Sequence, residues 1–207
     1  MSIPLPPLPS VPGDADWKPA GEEVVKVLSE EHRRITSLCG RLTDSDVDAV
    51  ERARTAEVVI ATVTRHLSAE EQYVYPAVAG TLEDGRSIAD REIAEDREIL
   101  LTLQSFSSTK PGDADFDRLA TALCGQLQRH TEAATGELLP GLREIASEAE
   151  LIRLGNRVQV AEEAAPTRPH PGTPATPPWN KVVDPAVAVV DKVLDVVTRR
   201  PTYPSDL

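Results

Sequence analysis

Proline distribution limits this chain before anything else does. Of 18 prolines, six lie within residues 1–20 and nine within 166–207. Only Pro76, Pro111 and Pro140 fall between. A proline inside a helix removes a backbone donor and clashes with the preceding turn. The stretch 21–165 is therefore free to be almost wholly helical, and the two ends are not. The expected organisation is a Pro-rich extended leader over 1–20, a helical domain over 21–163, and a Pro-rich tail over 164–207. Ile3-Pro4-Leu5-Pro6-Pro7-Leu8-Pro9 reads as polyproline-type chain, and Ala165 to Trp179 reads similarly.

The central block shows helical periodicity and no alternating strand pattern of useful length. Four long helices are expected over about 21–42, 44–79, 84–107 and 113–145. Asp44 or Ser45 is the expected cap of the second helix, and Pro111-Gly112-Asp113 marks a turn. Ser147 with Glu150 three residues on is a capping box, which opens a shorter fifth helix to about Glu163. Short connections between long helices predict an all-α, antiparallel up-down-up-down four-helix bundle.

Comparing the chain with itself adds a repeat. His66 and Pro76 recur as His130 and Pro140, and His32 aligns with Asp96, each at an offset of 64. The bundle thus reads as two helical hairpins related by duplication. The inward stripes follow by steps of three and four. They are Val25, Leu28, His32, Ile35, Cys39 and Leu42; Val59, Val63, His66, Glu70, Tyr73 and Ala77; Ala89, Glu92, Asp96, Ile99, Leu103 and Phe106; and Leu123, Leu127, His130, Ala134, Glu137 and Gly141. Each stripe carries polar residues near one level. Unpaired polar groups in a core are costly, so such a layer calls for a ligand. His66 and Glu70 form H-x-x-x-E, which puts imidazole and carboxylate on one helical face about 6 Å apart along the axis. With only four histidines in the chain, three on inward positions point to a metal site.

Glu31-His32-Arg33, His66-x-x-x-Glu70-Glu71 leading to Tyr75-Pro76, and His130 leading to Leu139-Pro140 resemble the hemerythrin-like, or HHE cation-binding, family over roughly 22–160. The tail motifs Pro166 to Pro171 and Pro177 to Lys181 look like the C-terminal extension of one bacterial branch. The resemblance implies a non-haem di-iron centre in a four-helix bundle, with dioxygen, peroxide or nitric oxide as the small ligand. His32, His66 and His130 would be imidazole ligands, and Glu70 a carboxylate able to bridge two irons. One iron, or manganese or zinc, is the alternative content.

The chain departs from that pattern in its second half. Asp96 stands where the family has histidine, and Ala134 where it has the glutamate of a second H-x-x-x-E. Asp96 can still ligate; Ala134 cannot. Glu92, one turn before Asp96, is a candidate replacement, and Glu137 is another. The alternative for both is a helix face turned to solvent. A carboxylate-rich shell would favour oxidase or oxygenase chemistry over reversible oxygen carriage. The contrasting reading is a decayed site, with the bundle kept as an interaction or sensory scaffold. Tyr73 is the inward tyrosine expected to donate a hydrogen bond or act in redox chemistry, unless it only packs.

Residues 184–200 predict a separate amphipathic helix. Pro185 would lie in its first turn, and Ala186, Val187, Val190, Leu194 and Val197 would form an apolar stripe opposite Asp191 and Asp195. That stripe must cover the bundle, a second copy in a homodimer, or another partner. His170, among prolines, is not an expected ligand. The chain holds 22 basic against 34 acidic residues, a net charge of −12. That argues against nucleic acid, whose affinity comes largely from Lys and Arg on phosphates. No apolar run reaches the roughly 18 residues of a membrane span. No signal-peptide order appears, and Cys39 and Cys124 do not suggest a disulfide framework. A cytoplasmic location is the expectation.

Overall fold

The computed structural model describes residues 19–172 and 180–207. The polyproline reading of 1–18 and the segment 173–179 lie outside them. The described residues contain helices and no strand. Helix α1 spans Val24–Thr43 and α2 spans Ala49–Ala69. A π-helical turn at Glu70–Val74 joins α2 to α3, Tyr75–Thr81. Helix α4 runs over Gly85–Phe106 and α5 over Phe116–Ala133. A second π turn, Ala134–Leu138, leads into α6, Leu139–Ile145. Helices α7, Glu148–Ala164, and α8, Asn180–Thr198, complete the set.

Local chemistry explains most of the boundaries. Asp48, rather than Asp44 or Ser45, caps α2, and its carboxylate accepts from the Val50 and Glu51 amides. Asp44 instead closes the preceding turn onto the Asp46 amide. At α7 the Ser147 and Glu150 capping box is formed in both directions. The π turns sit directly ahead of Pro76 and Pro140. Neither proline can donate to the preceding turn, and the wider loop of backbone absorbs that break.

Helix α1 packs against α2 and α5, and α4 against α3 and α5, while α7 lies across α1 and α2. Two apolar clusters fill the interior. One gathers Leu28, Val74, Val78, Leu142, Leu154 and Val158. The other gathers Ile35, Val63, Ile99, Leu103, Phe116 and Leu127. Buried His32, His66, Glu70, Asp96 and His130 fall in sequence between members of the two clusters. Hydrocarbon on both sides keeps this polar layer out of water.

The C-terminal helix departs from expectation in start and face. It begins at Asn180, so Pro185 lies inside it rather than in its first turn. Asp191 and Asp195, expected in solvent, are buried, whereas Val190, Leu194 and Val197 are exposed. Donors from outside the helix cause the reversal. Asp191 accepts from the Thr167 and Arg168 amides, at 3.1 and 3.0 Å, and lies 3.2 Å from His170 Nε2. Asp195 accepts from Thr167 Oγ1 and pairs with Arg168 and Arg200. Beyond the helix, Arg200 pairs with Glu57, and Arg65 lies over the Tyr203 ring at 4.2 Å. The tail is thereby strapped onto α2. No helix among the described residues is long and apolar enough to cross a membrane.

Candidate metal centre

His32 comes from the middle of α1, His66 from the last turn of α2, and His130 from the last turn of α5. Glu70 opens the first π turn. Their donor atoms converge. His66 Nε2 lies 3.1 Å from His32 Nε2 and 3.2 Å from His130 Nε2. Glu70 Oε2 is 3.2 Å from His130 Nε2 and 3.5 Å from His66 Nε2, and Glu70 Oε1 is 4.0 Å from His32 Nε2. All four side chains are buried.

This donor set fits a cation. Three imidazole nitrogens meeting at one point cannot all be satisfied by each other, since a neutral ring brings one N–H and one lone pair. Glu70 Oε1 is also buried without a hydrogen-bond partner. A tetrahedral ion at about 2.0–2.1 Å from each nitrogen would separate them by only about 3.4 Å, close to the spacing found. Burial, and then the neighbouring His66, hold His32 neutral, lowering its pKa to about 3. Against the opposing effect of burial, nearby carboxylates raise His66 and His130, Glu70 first in both cases. Glu70 is pushed down because the surrounding imidazoles, His66 first, outweigh its burial.

The other predicted residues take different places. Asp96 is fully buried, but it faces the far side of His130, with Oδ1 3.4 Å from Nδ1. Its Oδ2 accepts from the Tyr75 hydroxyl at 2.7 Å, and that hydroxyl lies 3.1 Å from Glu70 Oε2. Glu92 is buried yet held by Arg91, with Oε1 accepting from two guanidinium nitrogens at 3.0 and 2.8 Å. The same arginine binds Glu137, whose side chain is 51% exposed. Glu92 and Glu137 thus share an arginine, and neither joins the convergent set. Tyr73 is half-buried, with Arg157 5.8 Å from its ring centre. Tyr75, not Tyr73, is the tyrosine at the centre.

One cause accounts for Tyr73 and Glu137 together. A π turn inserts about one extra residue per turn, so the inward stripe advances by one beyond it. Val74 and Leu138, the last residues of the two π turns, are buried, and so are Tyr75 and Val78 beyond the first and Leu139 and Leu142 beyond the second. The sequence signal was present, since a proline inside a helical pattern marks a break in its register.

Sequence reasoning also missed Glu31 and Glu162 as a group. Besides the four convergent donors, the described residues hold one other three-donor cluster, Glu31, His66 and Glu162. Glu31 Oε2 is 3.1 Å from His66 Nδ1, and Glu162 Oε1 is 4.0 Å from it. Burial first, and then the hydrogen bond with Glu31, push the Glu162 carboxyl up to about 10.

The model of the hemerythrin HHE cation binding domain matches residues 21–142. An uncharacterised hemerythrin-like protein of Schizosaccharomyces pombe is 28% identical over 140 residues, covering 67% of this chain and 69% of that protein. A crystal structure of a hemerythrin HHE cation binding domain-containing protein from Mycobacterium kansasii is similar with a TM-score of 0.59. It is 20% identical, covering 68% of this chain and 85% of that one. That likeness concerns the fold. On the strength of the domain match, which covers more than half its length, the chain belongs to the hemerythrin HHE cation-binding domain family.

Proposed function

We propose that this protein is a non-haem iron protein that takes dioxygen, peroxide or nitric oxide at its buried centre. The observation that carries the reading is the convergence of three imidazole Nε2 atoms and the Glu70 carboxylate within one dry layer. His32, His66, Glu70 and His130 would hold an ion, and imidazole with carboxylate suits iron, with manganese or zinc as competitors. Bound there, iron supplies a redox-active centre that binds such small ligands. The chain's own part is to exclude water and fix its ligands. Asp96, with Oδ1 3.4 Å from Nδ1, would brace the His130 ring from behind, and the Tyr75 hydroxyl ties Glu70 to Asp96.

The same reading takes the domain as an up-down-up-down bundle of two duplicated hairpins. Two π turns beginning at Glu70 and Ala134, 64 residues apart, support it. Iron analysis of protein purified without chelator, with optical spectra in air and after reduction, tests the function. At least one iron per chain and a spectrum that changes on reduction are expected; no metal after iron-replete expression would overturn it. A scaffold that has lost its metal is the second reading, favoured by Ala134 and by the arginine that occupies Glu92 and Glu137.

A further inference from the structure

Helix α7 lies beyond the part of the chain that matches the family domain, which ends at residue 142. It nevertheless reaches the centre. We propose that Glu162 of α7, acting through Glu31 of α1, positions His66 for metal binding, so that the fifth helix is a working part of the metal centre. This rests on the metal-binding reading above.

The geometry is that of a relay on the outer side of one ring. His66 turns Nε2 toward His32 and His130, and turns Nδ1 toward Glu31 Oε2 at 3.1 Å. A metal-ligating histidine needs its other nitrogen fixed as a donor, because that fixes both tautomer and ring orientation. Glu31 is the acceptor. Its side chain is 13% exposed, so by itself it has a way out to water. Glu162 stands beside it: donor atoms of Glu31, His66 and Glu162 lie within 4.8 Å of one another, with Glu162 Oε1 4.0 Å from His66 Nδ1. From that place Glu162 would keep Glu31 turned toward His66 Nδ1, where Glu31 accepts from the ring.

Glu162 is set in place by how α7 docks. Leu151, Leu154, Val158 and Ala161 bury one face of α7 in the apolar cluster. Gly155 lets the helix meet the start of α1: a Cβ there would lie 2.2 Å from the Glu22 carbonyl oxygen and 3.0 Å from the Val24 nitrogen. Both neighbours are backbone and cannot swing aside. Such close docking brings a side chain two turns further along to the α1–α2 seam, where Glu31 and His66 meet.

The experiment measures iron affinity by competition with a chelator, together with metal-free melting curves, for Glu162→Ala, Glu162→Gln, Glu31→Ala and the double alanine variant. Removing a partner behind a ligating histidine costs roughly 10–100-fold in metal affinity, and a loss in that range is expected for Glu162→Ala. Glu162→Gln keeps a side chain of the same shape beside Glu31, with an amide able to donate to it, and should stay within a few-fold of wild type, which a merely structural loss would not allow. The double variant should match Glu31→Ala alone, because Glu162 acts through Glu31. Unchanged affinity in Glu162→Ala, or fully additive losses, would overturn the proposal. A second ion per wild-type chain that disappears in Glu162→Ala would replace it with a cation site at Glu31, His66 and Glu162. If wild type takes up no iron, the functional reading fails, and the imidazole nitrogen NMR spectrum of metal-free protein still decides the positioning. A His66 Nδ1–H tautomer that is lost in Glu162→Ala supports it, and a tautomer indifferent to that change refutes it.

Discussion

His66 and His130, 64 residues apart, occupy matching places in α2 and α5. Each lies in the last turn of a long helix, four residues before the first residue of a π turn, and each turns Nε2 to the centre. Behind them the halves diverge. Glu31 of α1 braces His66, with Glu162 beyond it. Asp96, 64 residues after the convergent His32, lies behind His130. The first π turn opens on Glu70 and the second on Ala134. The first half therefore contributes three convergent donors and the second only one. The second half has not lost order, since Asp96 is fully buried and Ala134 nearly so. Its buried Asp96 stands behind His130 instead of among the convergent donors.

This asymmetry is open to attack from several sides. The largest effect should come from the shared element. His66→Ala removes the nitrogen that touches both other rings and should abolish iron binding, read as metal per chain. Retention of full occupancy would show that the convergent set is not the site. Ala134→Glu comes next. It restores a carboxylate at a buried position matching Glu70, and should raise metal content by one ion per chain if the hairpins are equivalent. An unchanged count in a folded variant would break the equivalence. Asp96→Ala should lower affinity by roughly 10–100-fold, as loss of a histidine's bracing partner does. Complete loss of metal would instead make Asp96 a direct ligand.

Much of this layout was legible in the sequence, and the rest failed for identifiable reasons. Proline positions and three-four spacing place α1, α4 and α7 to within a few residues, because those helices obey local rules. His32, His66, Glu70 and His130 lie on stripes that remain in register up to the π turns. Tyr73 and Glu137 were misplaced just beyond those turns, where a local widening rotates the remainder of the helix. The tail helix failed for a nonlocal reason. Its apolar stripe is real, but the donors that bury Asp191 and Asp195 come from Thr167, Arg168 and Arg200. Nothing within the helix announces them. Glu162 was hidden in the same way, since its meaning depends on a packing contact at Gly155.

The smallest effect separates the two tyrosines and tests the register argument itself. Tyr75 holds a hydroxyl within reach of both Asp96 and Glu70 in a layer closed to water. Leu139, 64 residues further on, has no such group. Tyr75→Phe keeps the ring and leaves buried carboxylate oxygens short of a donor, a loss of about 1–3 kcal/mol. In metal-free protein this should appear as a lower denaturant midpoint at an unchanged slope. Tyr73→Phe should move the midpoint by less than about 0.5 kcal/mol, as substitutions away from buried features do. If the π turn governs which tyrosine faces the centre, only Tyr75→Phe will be felt. An equal response from both variants would mean that the inward stripe continues unbroken through Glu70–Val74, and the contrast between the two halves would have to be redrawn from that point.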